Sequence, residues 1–481
     1  MNKSTTASSN AGLSTECQQG SFQFQDLGRR QVVADFSGGF VSSDGGALLL
    51  GQADRSIGLT RGLAACFVDR RDRRFVEHEV QELVAQRVYG LALGYEDLND
   101  HSDLRRDPLL AVAAEKIDPL GERRDEENRG KALAAPATLQ RLESAVDHPG
   151  SRYHKLCPVI GLMRQYLLKS AVRTLSKNER TVIVDFDATD ARLHGHQEGR
   201  FFHGYYRDYC YLPLLVYIGS VPVWAQLRTA DRDASEGTVE ALEEIVPAIR
   251  RRCPKAKIIL RGDSGFCREG TMSWCEAHEV DYCLGLARNE RLTARLRPTM
   301  DRARTRAALC GGHTREFTEF EYKTLDSWSR ARRVIGKAEI LGDKDNPRFV
   351  ATSLSAAEYP PQRLYEELYC ARGDMENAVK EHQLDLFGER LSCAGFAANE
   401  VRLLLATFAH LLMERLRSIG LKGTELAQAT AGTIRQKLFK IAALVEISVR
   451  RVRVRLASAC PRKQLFAQVH RQLHAWVEDT G

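Results

Sequence analysis

At 481 residues the chain is long enough for two to four domains and a large core. Its 43% hydrophobic and 28% charged residues suit a soluble globular protein, and no apolar run approaches bilayer-spanning length, which argues against a membrane protein. A net charge of +7 suits a polyanionic partner, and twelve cysteines without a Cys-x-x-Cys pair read as free thiols rather than a disulfide or zinc framework.

Residues 1–25 are rich in Ser, Thr, Asn and Gln and are predicted to be a disordered tail. The polar start has no signal-peptide core, which predicts a cytoplasmic protein. Gly38-Gly39 and Gly45-Gly46 mark turns leading into a helix over 47–53. Residues 75–94 carry Val76, Val80, Leu83, Val84, Val88 and Leu91 on one side of an amphipathic helix. A charged loop follows over 105–131. Residues 130–144, GKALAAPATLQRLES, fit either a capped helix or a DNA-reading helix with Gln140 and Arg141 exposed. Another helix is predicted over 156–176.

The character changes at 181–189, TVIVDFDAT. The β-branched run Val182, Ile183 and Val184 marks a buried central strand. Asp185 and Asp187 stand at its C-terminal end, two apart and therefore on one face. Acids there serve chemistry in α/β sheets, or else cap a turn. Strands are expected over 211–218 and 221–227, joined at Gly219-Ser220, and a helix over 237–252. KIILRGDSGF at 257–266 repeats the strand-then-acid pattern, with Gly262 and Gly265 letting the backbone turn sharply around Asp263. A helix to residue 278 and a strand over 282–286 come next. From 287 to 355, strand-like segments over 316–322, 333–340 and 348–352 appear with no helix long enough to cover them. This predicts a β-rich insertion.

LYEELYCARGDMENAVKEHQLDLF, residues 364–387, reads as one long helix. Leu364, Leu368, Ala371, Met375, Val379 and Leu384 form its apolar stripe. Tyr369, Arg372, Glu376 and Lys380 share another face. Such a face suits a metal-binding acid beside groups that grip phosphate oxygens. It also suits a surface helix in which Arg372 and Lys380 each pair with Glu376. An apolar helix over 397–416 follows. In VRRVRVRL, residues 449–456, Arg451, Arg453 and Arg455 alternate with apolar residues, as in a DNA-contacting strand or a charge-blunted edge strand.

Asp187, Asp263 and Glu376 thus follow two strands and sit on one helix, the element order of an RNase H-like domain. Asp185 is the rival for the first position. Three such carboxylates would hold two Mg2+ ions, with Mn2+ as a substitute, because Mg2+ prefers oxygen ligands. The fold class is α/β: an RNase H-like catalytic domain with a β-rich insertion, flanked by a mainly helical N-terminal and a mixed C-terminal DNA-binding region. The expected layout is a tail over 1–25, an N-terminal DNA-binding region over 26–178, and a catalytic domain over 179–287 and 358–420. The insertion occupies 288–357 and a basic C-terminal region 421–481. Arg330, Arg332, Arg333 and Lys337 alternate with apolar residues and are expected to contact phosphates.

DFDATD, HGHQEGRFFHGYY through CYLPLLVYIG, LRGDSGF, GLARN, SRARRVIGKAEI, YCARGDMENAVK and FAANEVRLLL together resemble the DDE transposases of bacterial insertion sequences, in the insertion sequence 1380 family. The resemblance spans nearly the whole chain. It implies Asp187, Asp263 and Glu376 as catalytic, metal-binding residues, and a helix signature matched by Tyr369, Arg372 and Glu376. The signature's lysine position, seven after the glutamate, is Gln383, leaving Lys380 as its substitute. The resemblance also implies an insertion over the active site with an aromatic that holds a flipped base; of Trp274, in a helix, and Trp328, in the polar stretch LDSWSRARR, the latter is the candidate. HGH at 194–196 reads as loop structure. Implied partners are the transposon's terminal inverted repeats and target DNA, bound by a homodimer in a synaptic complex at the nucleoid. A nuclease or resolvase that cuts without joining, and an inactive DNA-binding regulator, are the competing readings.

Overall fold

Val182, Val184 and Phe186 are buried on one side of strand β1, Thr181–Ala188, while Ile183 packs into the layer on its other side. The computed structural model describes residues 20–310, 312–342 and 344–480. In it β1 lies inside a nine-stranded sheet with β2 (Leu214–Ile218), β3 (Val221–Gln226), β4 (Lys257–Gly262), β5 (Asp281–Leu286), β6 (His313–Tyr322), β7 (Arg332–Leu341), β8 (Lys344–Asp345) and β9 (Arg348–Thr352). The order is β3-β2-β1-β4-β5-β9-β7-β6, with β8 paired to β7. β1, β4 and β5 run parallel and the remaining pairings are antiparallel. Each parallel step needs a crossover, supplied by helix α1, Thr238–Arg252, before β4 and α2, Glu269–Ala277, before β5. The register pairs Gly262 with Phe186, so the turn after β4 begins beside Asp187.

Two expectations fail here. Residues 290–310 are not strand or loop: Glu290–Cys310 is a 21-residue helix, α3. Leu292, Leu296, Met300 and Ala303 are buried along it, and Leu296 packs so tightly that a Cβ on Gly336 of β7 would stand 2.8 Å from its Cδ1. The strands that follow extend the β1 sheet rather than forming a separate layer. The helix over 364–387 is also not a single α-helix. Leu364–Tyr369 and Glu381–Asp385 are π-helical, with the α-helix α4, Arg372–Lys380, between them. Such wide turns shift a helix face without ending the helix.

Leu364, Tyr365 and Leu368 cover one sheet face through Ile259, Cys283, Ile335 and Val350. Helix α5, Phe396–Arg415, packs on β3 and on helices Val80–Leu93, Pro136–Ser144 and Ile160–Val172. Residues Phe396–Gly420 are long and apolar enough to cross a membrane by length and composition, contrary to expectation, yet 83% of their most apolar window is buried. This is a core helix joining the N-terminal helices to the sheet. The junction includes a deeply buried ion pair, Arg87 Nε to Glu143 Oε1 at 2.7 Å.

Strand Ala443–Ser448 pairs with Arg451–Leu456 and with Val41–Ser42, so the N-terminal and C-terminal regions share a sheet. Arg451–Leu456 is its edge, with Arg451 and Arg453 exposed and Arg455 paired to Glu446 at 3.0 Å. The predicted tail falls mostly outside the described residues. Within it, Phe22–Leu27 is a strand paired with Arg30–Ala34.

Candidate active site

Asp185 and Asp187 emerge on the same face of β1 and meet different fates. Asp185 is 1% exposed, and Arg261 on β4 grips it through Nε to Oδ1 at 2.5 Å and Nη2 to Oδ2 at 2.7 Å. Arg261 Nη1 also donates to the Leu368 carbonyl at 2.6 Å. The pair ties the sheet to the π-helical turn that precedes α4. Burial raises the Asp185 carboxyl above its usual range against the pull of Arg261.

Asp187, two residues on, lies nearer the strand end. Arg372 Nη2 donates to its Oδ1 at 2.5 Å, and Arg372 Nη1 donates to Glu376 Oε1, also at 2.5 Å. One guanidinium therefore joins the β1 acid to the α4 acid. Burial pushes the Asp187 carboxyl up to about 6, opposed by Arg372 and reinforced by the charges of Asp263 and Glu376. Asp263 sits in the turn after β4, where its Oδ1 accepts from the Gly265 amide at 2.8 Å. Tyr369 closes this corner: a Cβ on Gly285 would stand 2.6 Å from the Tyr369 hydroxyl and 3.0 Å from the Ser264 amide nitrogen. That approach requires glycine at 285.

Asp187, Asp263, Glu376, Tyr369 and Arg372 are thus brought to one end of the parallel strands. Lys380, also on α4, is exposed and without an ion pair among the described residues. The i, i+4 pairing with Glu376 is made by Arg372 alone. Gln383, at the signature's lysine position, donates to Thr189 Oγ1 at 3.0 Å and to the Asp190 carbonyl at 3.2 Å, bracing the loop after β1.

The aromatic and basic residues expected from the insertion are placed otherwise. Trp328 is 4% exposed, edge-on to Tyr322 with ring centroids 5.8 Å apart, and beneath Arg332. It is a core residue and offers no free face for a base. Arg332 is buried between Glu269 at 2.6 Å and Glu276 at 2.7 Å. Arg333 is held by Glu319 at 2.5 Å and the Leu354 carbonyl at 2.8 Å, and Lys337 by Glu339 at 2.6 Å. These three cations neutralise acids of the fold and are not available to phosphates. Arg330 is exposed, though paired with Glu276 at 2.9 Å.

The donor set fits a divalent cation: all-oxygen ligands, with a half-buried carboxylate whose proton affinity burial, and then its acidic neighbours, raise. Among the described residues, the trio whose ligand atoms all lie within 4.8 Å of one another is a different one, Glu381, His410 and Glu414. Arg417 bridges the two glutamates there, as Arg372 bridges Asp187 and Glu376. Sequence reasoning missed Arg261, and took Gln383 only as a departure from the signature, without its hold on the loop after β1. Arg261 had a signal, since it precedes Gly262 at the end of a buried strand, where an arginine needs a buried acid.

A family model described as transposase DDE domain, group 1, matches residues 24–477. No curated protein matches the chain.

Proposed function

Because this chain belongs to the DDE transposases, transposase DDE domain group 1, we propose that it is a cut-and-paste transposase of the insertion sequence 1380 type with an RNase H-like catalytic core. It binds the terminal inverted repeats of its element as a homodimer at the nucleoid, cleaves the ends and joins the 3′ ends to target DNA. Asp187, Asp263 and Glu376 are its catalytic residues and would hold Mg2+, or Mn2+ in its place. The ions would supply activation of the attacking oxygen and charge stabilisation at the leaving oxygen. The strand order supports the RNase H-like reading: an antiparallel hairpin beside β1, then two parallel strands. The observation that carries the function is Arg372, which links the Asp187 and Glu376 carboxylates, with Asp263 in the turn of the adjacent strand.

In this reading Arg372 orders the two acids and screens their repulsion while keeping a positive charge where the DNA phosphate must approach. Tyr369 and Gly285 fix the Asp263 turn. Gln383 holds the loop that follows Asp187. The deciding experiment incubates the protein with labelled element ends, target plasmid and Mg2+. Joined products that vanish with Asp187→Asn and Glu376→Gln support the proposal. Cut ends without joined products indicate a nuclease, and uncut but bound ends a regulator.

A further inference from the structure

The loop after β1 carries a tongue of three short strands, Ala191–Arg192, Phe201–His203 and Asp208–Tyr211. Its surface is unusually aromatic. Tyr205 is 84% exposed and Phe202 57% exposed, with Phe201 and Tyr209 also exposed. Rings clustered in solvent mark a binding surface rather than a core. The cluster is ordered from within: Phe202 meets Tyr209 edge-on at 5.6 Å, and Tyr205 meets Tyr206 edge-on at 5.1 Å.

The tongue is anchored beside the carboxylates. The Tyr206 hydroxyl donates to the Ala188 carbonyl at 3.4 Å, one residue beyond Asp187. The Tyr206 phenol is raised by burial and then by the charges of Asp190, Asp187 and Asp263, which places the tip within their field. Guanidiniums flank the rings. Arg200 lies over Tyr209 at 4.6 Å, and Arg207 is exposed at the tip with no ion pair among the described residues. Of the tongue's acids, Asp190 and Asp208 face Arg192, at 3.5 and 4.0 Å, and Glu198 turns to the Phe396 amide at 3.0 Å.

We propose that this tongue, through Tyr205 and Phe202, binds unpaired nucleotides of the DNA strand beside the Asp187 carboxylate. This deepens the transposase reading and rests on it. Free rings among arginines match a partner with flat faces and a phosphate backbone. Bases in an intact duplex already stack on one another, so the rings gain a partner only where a strand is open. Neither a lipid surface nor an apolar protein face calls for arginines placed over and beside the rings.

The test uses the full chain in EDTA with two fluorescent 30-bp duplexes of random sequence, one intact and one with a five-nucleotide gap carrying 2-aminopurine. The native protein is expected to prefer the gapped duplex by roughly tenfold and to change the 2-aminopurine emission on binding. Tyr205→Leu combined with Phe202→Leu should abolish both effects and leave intact-duplex binding unchanged. Tyr205→Phe should retain both. If the double variant keeps the preference and the emission change, or if its only consequence is a changed oligomeric state, the proposal is overturned. Strand transfer separates the two readings. Gap preference that depends on Tyr205 in a protein that never joins ends preserves the tongue and removes the transposase. Normal joining with unaltered gap preference in the double variant does the reverse.

Discussion

Arg261 holds Asp185 by two hydrogen bonds inside the sheet, and its third donor reaches the Leu368 carbonyl of the helix that carries Glu376. The pair is 6% and 1% exposed, so neither charge has water to fall back on. Arg261→Met should therefore cost about 3–5 kcal/mol by stranding a buried carboxylate. Arg261→Met with Asp185→Leu should recover most of that, since both charges leave together. Urea denaturation measures both. Equal losses in the single and double variants would show that the pair is not what matters at this position.

Asp187 gives a pH dependence. Its carboxyl titrates at about 6 in the folded chain, against about 4 when unfolded. The folded value is the higher, so its contribution to stability is full below about pH 4 and is lost as pH rises through about 6. In EDTA, Asp187→Asn should remove this loss, which is on the order of 2–3 kcal/mol. Divalent cations bind the deprotonated carboxylate, so millimolar Mg2+ or Mn2+ should raise Tm more at pH 7.5 than at pH 5. The gain should be small at either pH in Asp187→Asn. Thermal melts across this range decide it, and a Tm gain independent of both pH and Asp187 rules the metal site out.

What was legible in the sequence was what short-range pattern controls. The β-branched run before Asp185 and Asp187, the hairpin at Gly219-Ser220 and the glycine-flanked Asp263 all lie where the pattern put them. Helix α3 was missed although Leu292, Leu296, Met300 and Ala303 recur at helical spacing, because many arginines and Pro298 obscure the stripe. The π turns were illegible, since the first packs on the sheet and the second on helix α5, long-range contacts that residue preference does not encode. The arginines near Trp328 misled for a similar reason. The acids that bury Arg332 lie 56 and 63 residues away in sequence, so its local surroundings look like a solvated loop.

Trp328 now carries a structural prediction. Trp328→Ala should cost about 3–5 kcal/mol, because it empties a packed site beneath Arg332 and beside Tyr322. Trp328→Phe should restore part of the loss. Neither should alter the preference for gapped over intact DNA once stability is matched by lowering the temperature. A stable Trp328→Ala that loses gap preference would return the residue to the DNA.

The helix Pro136–Ser144, one of whose readings was DNA contact, borders a groove of about 300 Å³ lined by Arg71, Phe75, Arg141, Arg152, Tyr153 and Lys155. Phe75 is 81% and Tyr153 67% exposed, each under a guanidinium, Arg74 at 5.6 Å and Arg152 at 5.0 Å. Two of the groove's own charges are already balanced: Arg71 pairs with Asp69, and Asp72 with Arg74. Arg141, Arg152 and Lys155 have no ion pair among the described residues and are exposed. Free cations on a rigid groove release counterions when they meet phosphates, and each contact steepens the salt dependence by about 0.9. Changing Arg141, Arg152 and Lys155 together to Ala should therefore flatten the slope of log K against log salt by about two to three. The same change at Arg173, Lys177 and Lys255, exposed elsewhere, should flatten it by less than one. Binding titrations of a random duplex between 50 and 200 mM salt measure both. If the two triple variants flatten the slope equally, the groove is only part of a diffuse positive field and not a DNA-binding face.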